Sequence, residues 1–346
     1  MKMSSRPYRV VSRSNFPGVM YLNEGGAFRS MDECQDWLSG HRDSILCDLR
    51  SAGVVLLRGF SAGLPADVFP ALLRSLGTPM KDYLGGSTPR TRLGSVTYSA
   101  TELPGEYSIA LHHEMSYLPQ APEAICFYCA QQSATGGGSV LAASRRVRAA
   151  LPAEVEGAFR ERGVLVTRSL PPRHSIYLAS GMSRPWQDVF ATDDPARVEI
   201  VCRERHWVPS WCDDGTLRLQ HGATSAYRQH PQTGEPVWFN QAHYYSPECM
   251  LRWAERDGRT SQARYILRLM ERRDYDHLNQ VTFADGSAIP PAYLLSIWDA
   301  LVQSETVFTM DVGDIMVLDN YAVMHGRESF SGTRQLQVGL IERIFR

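Results

Sequence analysis

The hydrophobic positions near the start of the chain predict a helix, a buried strand and a second helix. Segment 31–53 carries apolar residues at helical spacing and ends at Gly53, a residue typical of helix C-termini. The continuous apolar run VVLLRGF at 54–60 suits a strand with both faces buried. A second helix is predicted up to Gly77.

The segment 83–108 is rich in Gly, Ser, Thr and Pro, which predicts loop and hairpin. It directly precedes the sequence LHHEM. We therefore expect it to act as a lid over whatever site those polar residues form.

The middle of the chain alternates between helical and strand patterns. Ser144 can cap a helix, Gly163 ends the next one, and a further helix is predicted after Asp193 or Asp194. Strand patterns follow at 216–229 and 236–246, joined by the turn HPQTGEP. Further helices are predicted at 247–258, 262–273 and after Pro290, and strand patterns close the chain at 306–320, 322–329 and 334–345. Periodicity alone supports a mixed α and β class, without internal repeats.

Composition indicates an ordinary globular enzyme. With 346 residues, 43% of them hydrophobic, the chain can bury a large core in one elaborated domain. A net charge of -1 gives no broad field for nucleic acid or an anionic membrane. No stretch approaches the ~20 apolar residues that cross a bilayer, and the first residues lack a signal-peptide pattern. We expect a cytoplasmic protein with no nucleic-acid or membrane partner.

The seven cysteines fit a reducing compartment, because their number is odd and their spacing forms no disulfide framework. Cys126 and Cys129 form an isolated CxxC. A structural zinc site would need a second pair, so buried strand thiols are the preferred interpretation.

Three polar residues carry the candidate chemistry. His112 and Glu114 are separated by one residue, and His325 follows much later in NYAVMHGRESF. On a strand, residues i and i+2 share a face, so the first two could point at one ion. Two imidazoles and one carboxylate leave positions of an octahedral metal open, which suits ferrous iron. The HxE spacing alone is a weak signal.

Two further residues strengthen this interpretation. Arg334 follows His325 by nine residues at the start of an alternating strand pattern, and a glycine turn opens a strand at Ser139. An arginine fork beside a hydroxyl is what the distal carboxylate of 2-oxoglutarate needs near a ferrous site.

With these motifs, the chain resembles the TauD/TfdA-like iron(II)- and 2-oxoglutarate-dependent oxygenases, in the branch near the syringomycin-pathway aspartyl hydroxylase and clavaminate synthase. The resemblance rests on GGSTPRT, LHHEMSY, GGGSV, VWFNQAHYYSP and GDIMVLDNYAVMHGRESFSGTRQL, and spans about Val54 to Leu340. It implies that His112, Glu114 and His325 hold Fe(II), and that Arg334 and Ser139 bind 2-oxoglutarate. Arg343 is a competitor for the role of Arg334, because related branches have longer spacing.

The resemblance also implies a fold. We expect an α+β protein whose core is a distorted double-stranded β-helix (jelly roll), with flanking and inserted helices. A single oxygenase domain should span 1–346, with a helical insertion within about 145–300. The opening helix, strand and helix should pack against the outside of the barrel.

The implied function is a dioxygenase that uses Fe(II), 2-oxoglutarate and O2 to hydroxylate an unactivated carbon, releasing succinate and CO2. The implied substrate is an amino acid or a derivative, free or bound to a carrier protein, in natural-product biosynthesis. Desaturation and cyclisation stay open. Glu114 argues against halogenation, because related halogenases carry a small residue there. Arg90, Tyr117, Asn240 and Arg327 are candidate substrate contacts, although Asn240 and Arg327 would also suit a role in holding ligands in place.

Two alternatives belong to other classes. A zinc hydrolase could use two His and one Glu, but it would have no reason to keep Arg334 and Ser139 for a dicarboxylate. A noncatalytic barrel could bind a pathway partner, but it would not need intact metal ligands. The sequence does not determine whether the chain forms a homo-oligomer.

Overall fold

The computed structural model describes residues 8–11, 17–60, 65–80, 90–101, 103–118, 120–180 and 183–344. The helices of this part are α1 Met31–Ala52, α2 Pro65–Leu76, α3 Ser144–Ala150, α4 Ala153–Arg162, α5 Trp186–Phe190, α6 Pro195–Glu204, α7 Ala242–Tyr245, α8 Pro247–Arg256, α9 Thr260–Arg272 and α10 Pro291–Ser304. A short 3-10 helix covers Ile176–Ser180. None of the helices in these ranges combines the length and apolar character needed to cross a membrane.

The strands of the described ranges are β1 Tyr8–Val11, β2 Val19–Asn23, β3 Val54–Arg58, β4 Thr78–Pro79, β5 Tyr98–Ser99, β6 Ile109–His112, β7 Ala124–Gln131, β8 Thr135–Gly136, β9 Ser139–Ala143, β10 Leu165–Leu170, β11 Val208–Trp211, β12 Leu217–Gln220, β13 Tyr227–Gln229, β14 Pro236–Trp238, β15 Gln280–Thr282, β16 Thr306–Phe308, β17 Ile315–Asp319, β18 Val323–Arg327, β19 Phe330–Ser331 and β20 Gln335–Arg343.

Two sheets dominate the architecture. The larger has the order β1-β2-β3-β17-β7-β20-β4, with β5 also paired to β20, and the smaller has the order β16-β9-β18-β6. Pairing is antiparallel except between β2 and β3. The core between the sheets contains Leu56, Met316 and Leu340 from the larger sheet and Leu141 and Val323 from the smaller. The two sheets therefore pack face to face.

Helices cover the outer face of each sheet. Side chains of α1 and α2 pack on alternate residues of the larger sheet, such as Val55 and Val317, because successive strand residues point to opposite faces. On the smaller sheet, Val140 and Met324 pack against α3, α4 and α10. Burial on both faces explains the near-continuous apolar runs of β3 and β17.

The segment from α3 to α10 leaves the smaller sheet after β9 and returns to it at β16. These two strands are neighbours, paired in the register Val307↔Val140. The segment contains a third sheet with the order β11-β12-β10-β15 and the hairpin β13-β14. It therefore extends the fold without interrupting the two main sheets.

Several local predictions are confirmed. Helix α1 ends at Gly53, whose φ of 76° lies in the left-handed region, and α4 ends at Gly163. Asp194 caps α6 by accepting from the backbone N–H of Ala196. Helix α10 begins directly after Pro290.

Other predictions are wrong. Ser144 is the first residue of α3 rather than its cap, and its hydroxyl donates to the Tyr321 carbonyl instead. The strand predicted through 246 ends at Trp238, and the aromatic residues after it form the short helix α7. The opening strand does not lie outside the core, because β3 pairs with β17 within the larger sheet.

Candidate metal centre

The two histidines of the candidate site lie on neighbouring strands. His112 ends β6 and faces His325 of β18 directly in the antiparallel register, with ring centroids 4.3 Å apart. Their strand neighbours Leu111 and Met324 belong to the outer core, so the two imidazoles point into the space between the sheets. Strand pairing thus brings together two histidines that are far apart in the sequence.

Glu114 reaches the same space by a different route. Strand β6 ends at His112, and the residues after it form a turn in which Met115 has a φ of 54°. The prediction that Glu114 continues the strand is therefore wrong. Its carboxylate meets the histidines because the chain turns immediately after the strand.

The three side chains form a group that can hold a metal ion. One ligand atom from each of His112, Glu114 and His325 lies within 4.8 Å of the other two. Oε2 of Glu114 is 3.7 Å from Nε2 of His325 and 4.0 Å from Nε2 of His112. Nδ1 of His112 lies 2.8 Å from the Ala110 carbonyl, so its N–H donates there and Nε2 keeps its lone pair for a metal. Two imidazoles and a carboxylate fit ferrous iron.

The charge states also suit metal binding. Burial raises the pKa of Glu114, but Arg90, with Nη2 only 2.9 Å from Oε2, and the two histidines outweigh it, so that pKa falls below its usual range. Burial and the charge of His325 lower the pKa of His112 to about 3. At neutral pH the carboxylate is ionised and the His112 imidazole is neutral, which are the forms that bind metals.

Arg334 and Ser139 line the same cavity as the three ligands. Nε of Arg334 donates to the Gly137 carbonyl at 3.0 Å, which aims the rest of the guanidinium. Gly137 has a φ of 75°, and a Cβ there would lie 3.1 Å from Cδ of Arg334, so glycine suits this turn. Arg343 lies at the far end of β20, paired with Thr78, and is not among the lining residues.

Arg327 also lines the cavity, but its guanidinium already donates hydrogen bonds to the protein backbone. Its Nη atoms donate to the carbonyls of Leu103, Pro104 and Tyr107, which tether the loop before β6. Arg327 is 4% exposed, and burial together with the charge of Arg334 lowers its pKa to about 10. Within the described ranges, neither arginine has a carboxylate within 4.0 Å. The cavity is thus prepared for an anionic ligand.

The other candidate contacts separate into two groups. Arg90 and Tyr117 line the cavity, and their role as substrate contacts stays a prediction. Asn240 does not; its side chain bonds to the Ala226 carbonyl and the Ala242 N–H within the core. Part of the predicted lid, 83–89, lies outside the described residues.

Three lining residues outside the predicted site contact the candidate ligands or the backbone next to them. Gln241 donates to the His113 carbonyl at 2.8 Å, Tyr244 packs against the His112 ring, and Phe127 packs against the His325 ring. Burial raises the pKa of Tyr244, so its hydroxyl stays protonated. Aromatic residues at these positions resembled core residues in the sequence, and no local signal distinguishes the two roles.

Comparison with known proteins identifies the family. The model for the taurine catabolism dioxygenase TauD, TfdA family matches residues 29–340. The chain belongs to the TauD/TfdA family. The dapdiamide synthesis protein DdaC of Enterobacter agglomerans is 29% identical over 337 residues, covering 96% of this chain and 93% of the relative. A clavaminate synthase-like protein of Arabidopsis thaliana is 26% identical, covering 84% and 82%.

A solved structure of asparagine oxygenase in complex with Fe(II), 2S,3S-3-hydroxyasparagine and succinate shares the fold, with a TM-score of 0.52 at 13% identity over 90% of this chain and 81% of that chain. As a TauD/TfdA protein, the chain is an Fe(II)/2-oxoglutarate-dependent dioxygenase that uses O2. The zinc hydrolase and the noncatalytic barrel are therefore set aside.

Proposed function

We propose that this TauD/TfdA enzyme hydroxylates an unactivated carbon of an amino acid or amino-acid-derived substrate in natural-product biosynthesis, releasing succinate and CO2. The observation that carries the proposal is one cavity shared by His112, Glu114, His325, Arg334 and Ser139. The dapdiamide synthesis relative and the asparagine oxygenase fold relative support the biosynthetic context and the substrate class. The substrate can be free or bound to a carrier protein.

The residues have distinct roles in this proposal. His112, Glu114 and His325 would hold Fe(II), and Arg334 with the Ser139 hydroxyl would bind the distal carboxylate of 2-oxoglutarate. The bound iron and cosubstrate supply the chemistry that activates O2. The protein supplies position: Arg90 keeps Glu114 ionised, and the His112 Nδ1–H bond to Ala110 keeps Nε2 available.

The rest of the cavity wall serves orientation and water exclusion. Its apolar part comes from Ile109, Met115, Phe127, Met316 and Leu336. Such a lining keeps bulk water from the reacting carbon, and the hydroxyls of Tyr117 and Tyr244 with the Gln241 amide can orient polar groups of the substrate.

Two structural expectations complete the proposal. The larger and smaller sheets would be the two halves of a distorted jelly roll, closed around the cavity. The chain would form a single oxygenase domain over 1–346, with the helical insertion within about 145–300.

The test is anaerobic reconstitution with Fe(II) and 2-oxoglutarate, followed by O2 and a panel of free or carrier-bound amino acids. We expect succinate formation that depends on both iron and 2-oxoglutarate, and that is stimulated by the true substrate. Mass spectrometry of the product then separates hydroxylation, which adds one oxygen, from desaturation or cyclisation, which both remove two hydrogens, and NMR of the product distinguishes the last two. If no substrate of the panel gave iron-dependent succinate formation, the result would contradict the proposal.

We predict that Arg334→Ala raises the KM for 2-oxoglutarate by roughly 10- to 150-fold, since a charge-assisted hydrogen bond contributes about 1.5–3 kcal/mol. The kcat at saturating cosubstrate should change much less. Steady-state succinate assays at varied 2-oxoglutarate give both constants.

Arg343→Ala is the matched control, because it removes a guanidinium from the same strand outside the cavity. Its KM for 2-oxoglutarate should stay close to that of the unmodified enzyme. A raised KM in the Arg343 variant with an unchanged KM in the Arg334 variant would transfer the cosubstrate role to Arg343.

A further inference from the structure

Glu114 needs a support that strand pairing does not give it. Because β6 ends at His112, the backbone of Glu114 lies beyond the ladder between β6 and β18. Its two backbone groups bond instead to one side chain. The Glu114 N–H donates to Oδ1 of Asn320 at 2.8 Å, and Nδ2 of Asn320 donates to the Glu114 carbonyl at 3.0 Å. The side-chain amide thus acts as a substitute for a neighbouring strand residue.

We propose that Asn320 is a positioning residue whose amide fixes Glu114 in its metal-binding place. The inference rests on the proposed function, because it assumes that Glu114 binds the iron. It assigns to Asn320 no contact with iron, cosubstrate or substrate.

The amide of Asn320 has no freedom to turn away. Nδ2 also donates to the Pro122 carbonyl at 2.9 Å, the backbone N–H donates to Glu123, and the backbone carbonyl accepts from Nδ1 of His113 at 2.6 Å. The residue is fully buried. All of its polar atoms are therefore engaged, and they connect both ends of the turn that carries Glu114.

The position of Asn320 in the chain couples two metal ligands. It lies in the turn between β17 and β18, five residues before His325. Oδ1 of the preceding Asp319 accepts from the N–H groups of Tyr321 and Ala322, and its Oδ2 bonds to Nε2 of His230 at 2.9 Å. The hydrogen-bonded turn before β18, the strand that carries His325, therefore also positions the backbone of Glu114.

The backbone next to Glu114 shows why this support matters. Met115 has a φ of 54°, a conformation that costs a residue with a Cβ roughly 1–2 kcal/mol. Such a conformation persists only where surrounding contacts hold it. The Asn320 bond to the Glu114 carbonyl acts on the peptide group that joins Glu114 to Met115. Without that bond, we expect the turn to relax and the carboxylate to leave the two imidazoles.

The experiment measures Mn²⁺ affinity of the full chain by calorimetry, without turnover. Asn320→Ala and the isosteric Asn320→Asp should both weaken Mn²⁺ binding by roughly 10- to 100-fold, the usual effect of removing a partner that orients a ligand. Asp keeps an acceptor for the Glu114 N–H but loses the donor to the Glu114 carbonyl. Circular dichroism establishes that each variant is folded.

Asn279→Ala is the control, because Asn279 is also a buried asparagine that bonds to backbone, at the Ser169 N–H, outside the cavity. It should lower the melting temperature and leave Mn²⁺ affinity unchanged. Folded Asn320 variants with unchanged affinity would overturn the inference, as would failure of both to fold, since Asn320 would then determine the fold and not the site. An unmodified chain that does not bind Mn²⁺ would instead contradict the proposed function.

Discussion

His112→Ala should abolish 2-oxoglutarate-dependent succinate formation and weaken Mn²⁺ binding beyond detection. The substitution removes one of three ligands from a site in which the remaining two, Glu114 and His325, come from different segments of the chain. It also removes a partly buried ring that packs against His325 and Tyr244, so the substitution deletes packing contacts as well as a ligand. Succinate assays and calorimetry measure the two effects separately.

The control is His174→Ala, which removes an exposed imidazole that does not line the cavity. It should retain full turnover and Mn²⁺ affinity. Retained Mn²⁺ affinity and turnover in the His112 variant would show that the metal, if any, binds elsewhere, and would overturn the assignment of all three ligands.

Local signals in the sequence predicted several helix boundaries correctly. Gly53 and Gly163 end helices because their positive φ is accessible to glycine, and Asp194 starts a helix because its side chain accepts from a free N–H. These effects act within a few residues. These helix ends can therefore be predicted without knowledge of the overall fold.

Long-range packing explains the wrong predictions. The residues after Trp238 have the aromatic composition of a strand, yet they form α7. His243 of this helix bonds to the carbonyl of Leu111 on β6, the strand that carries His112. Likewise, nothing local in β3 shows that it pairs with β17, more than 250 residues later. Such contacts are decided by tertiary structure, which the local pattern does not contain.

The candidate site shows the same division. Its candidate ligands could be predicted because HxE, the distant His325 and Arg334 occur together in the order of a known family, although the HxE spacing alone is a weak signal. Its supports could not. Asn320 resembles an ordinary turn residue, and Gln241 resembles a strand residue. Both nevertheless bond to the peptide group that joins His113 to Glu114: Gln241 to its carbonyl and Asn320 to its N–H. Their roles appear only once the chain is folded, because each depends on a partner more than 100 residues away.

Gly326→Ala should separate the two histidine strands. Gly326 lies between His325 and Arg327, where the ladder to β6 shifts register. A Cβ there would lie 2.4 Å from the Ile109 carbonyl oxygen and 3.0 Å from the carbonyl carbon of Ala110. These are backbone atoms of β6, which cannot rotate away as a side chain can. Relief therefore requires β18 to move from β6 and His325 to move from His112.

We expect a loss of at least about 1–3 kcal/mol in the free energy of unfolding, as for overpacked cores, together with weakened Mn²⁺ binding. Urea unfolding and calorimetry measure these effects. Gly157→Ala is the control: a Cβ there meets nothing within 4 Å, and alanine in α4 should stabilise by about 0.5–1 kcal/mol. If Gly326→Ala kept both stability and Mn²⁺ affinity, the close approach of β18 to β6 would not be what brings His325 to His112, and the metal centre would need another structural basis.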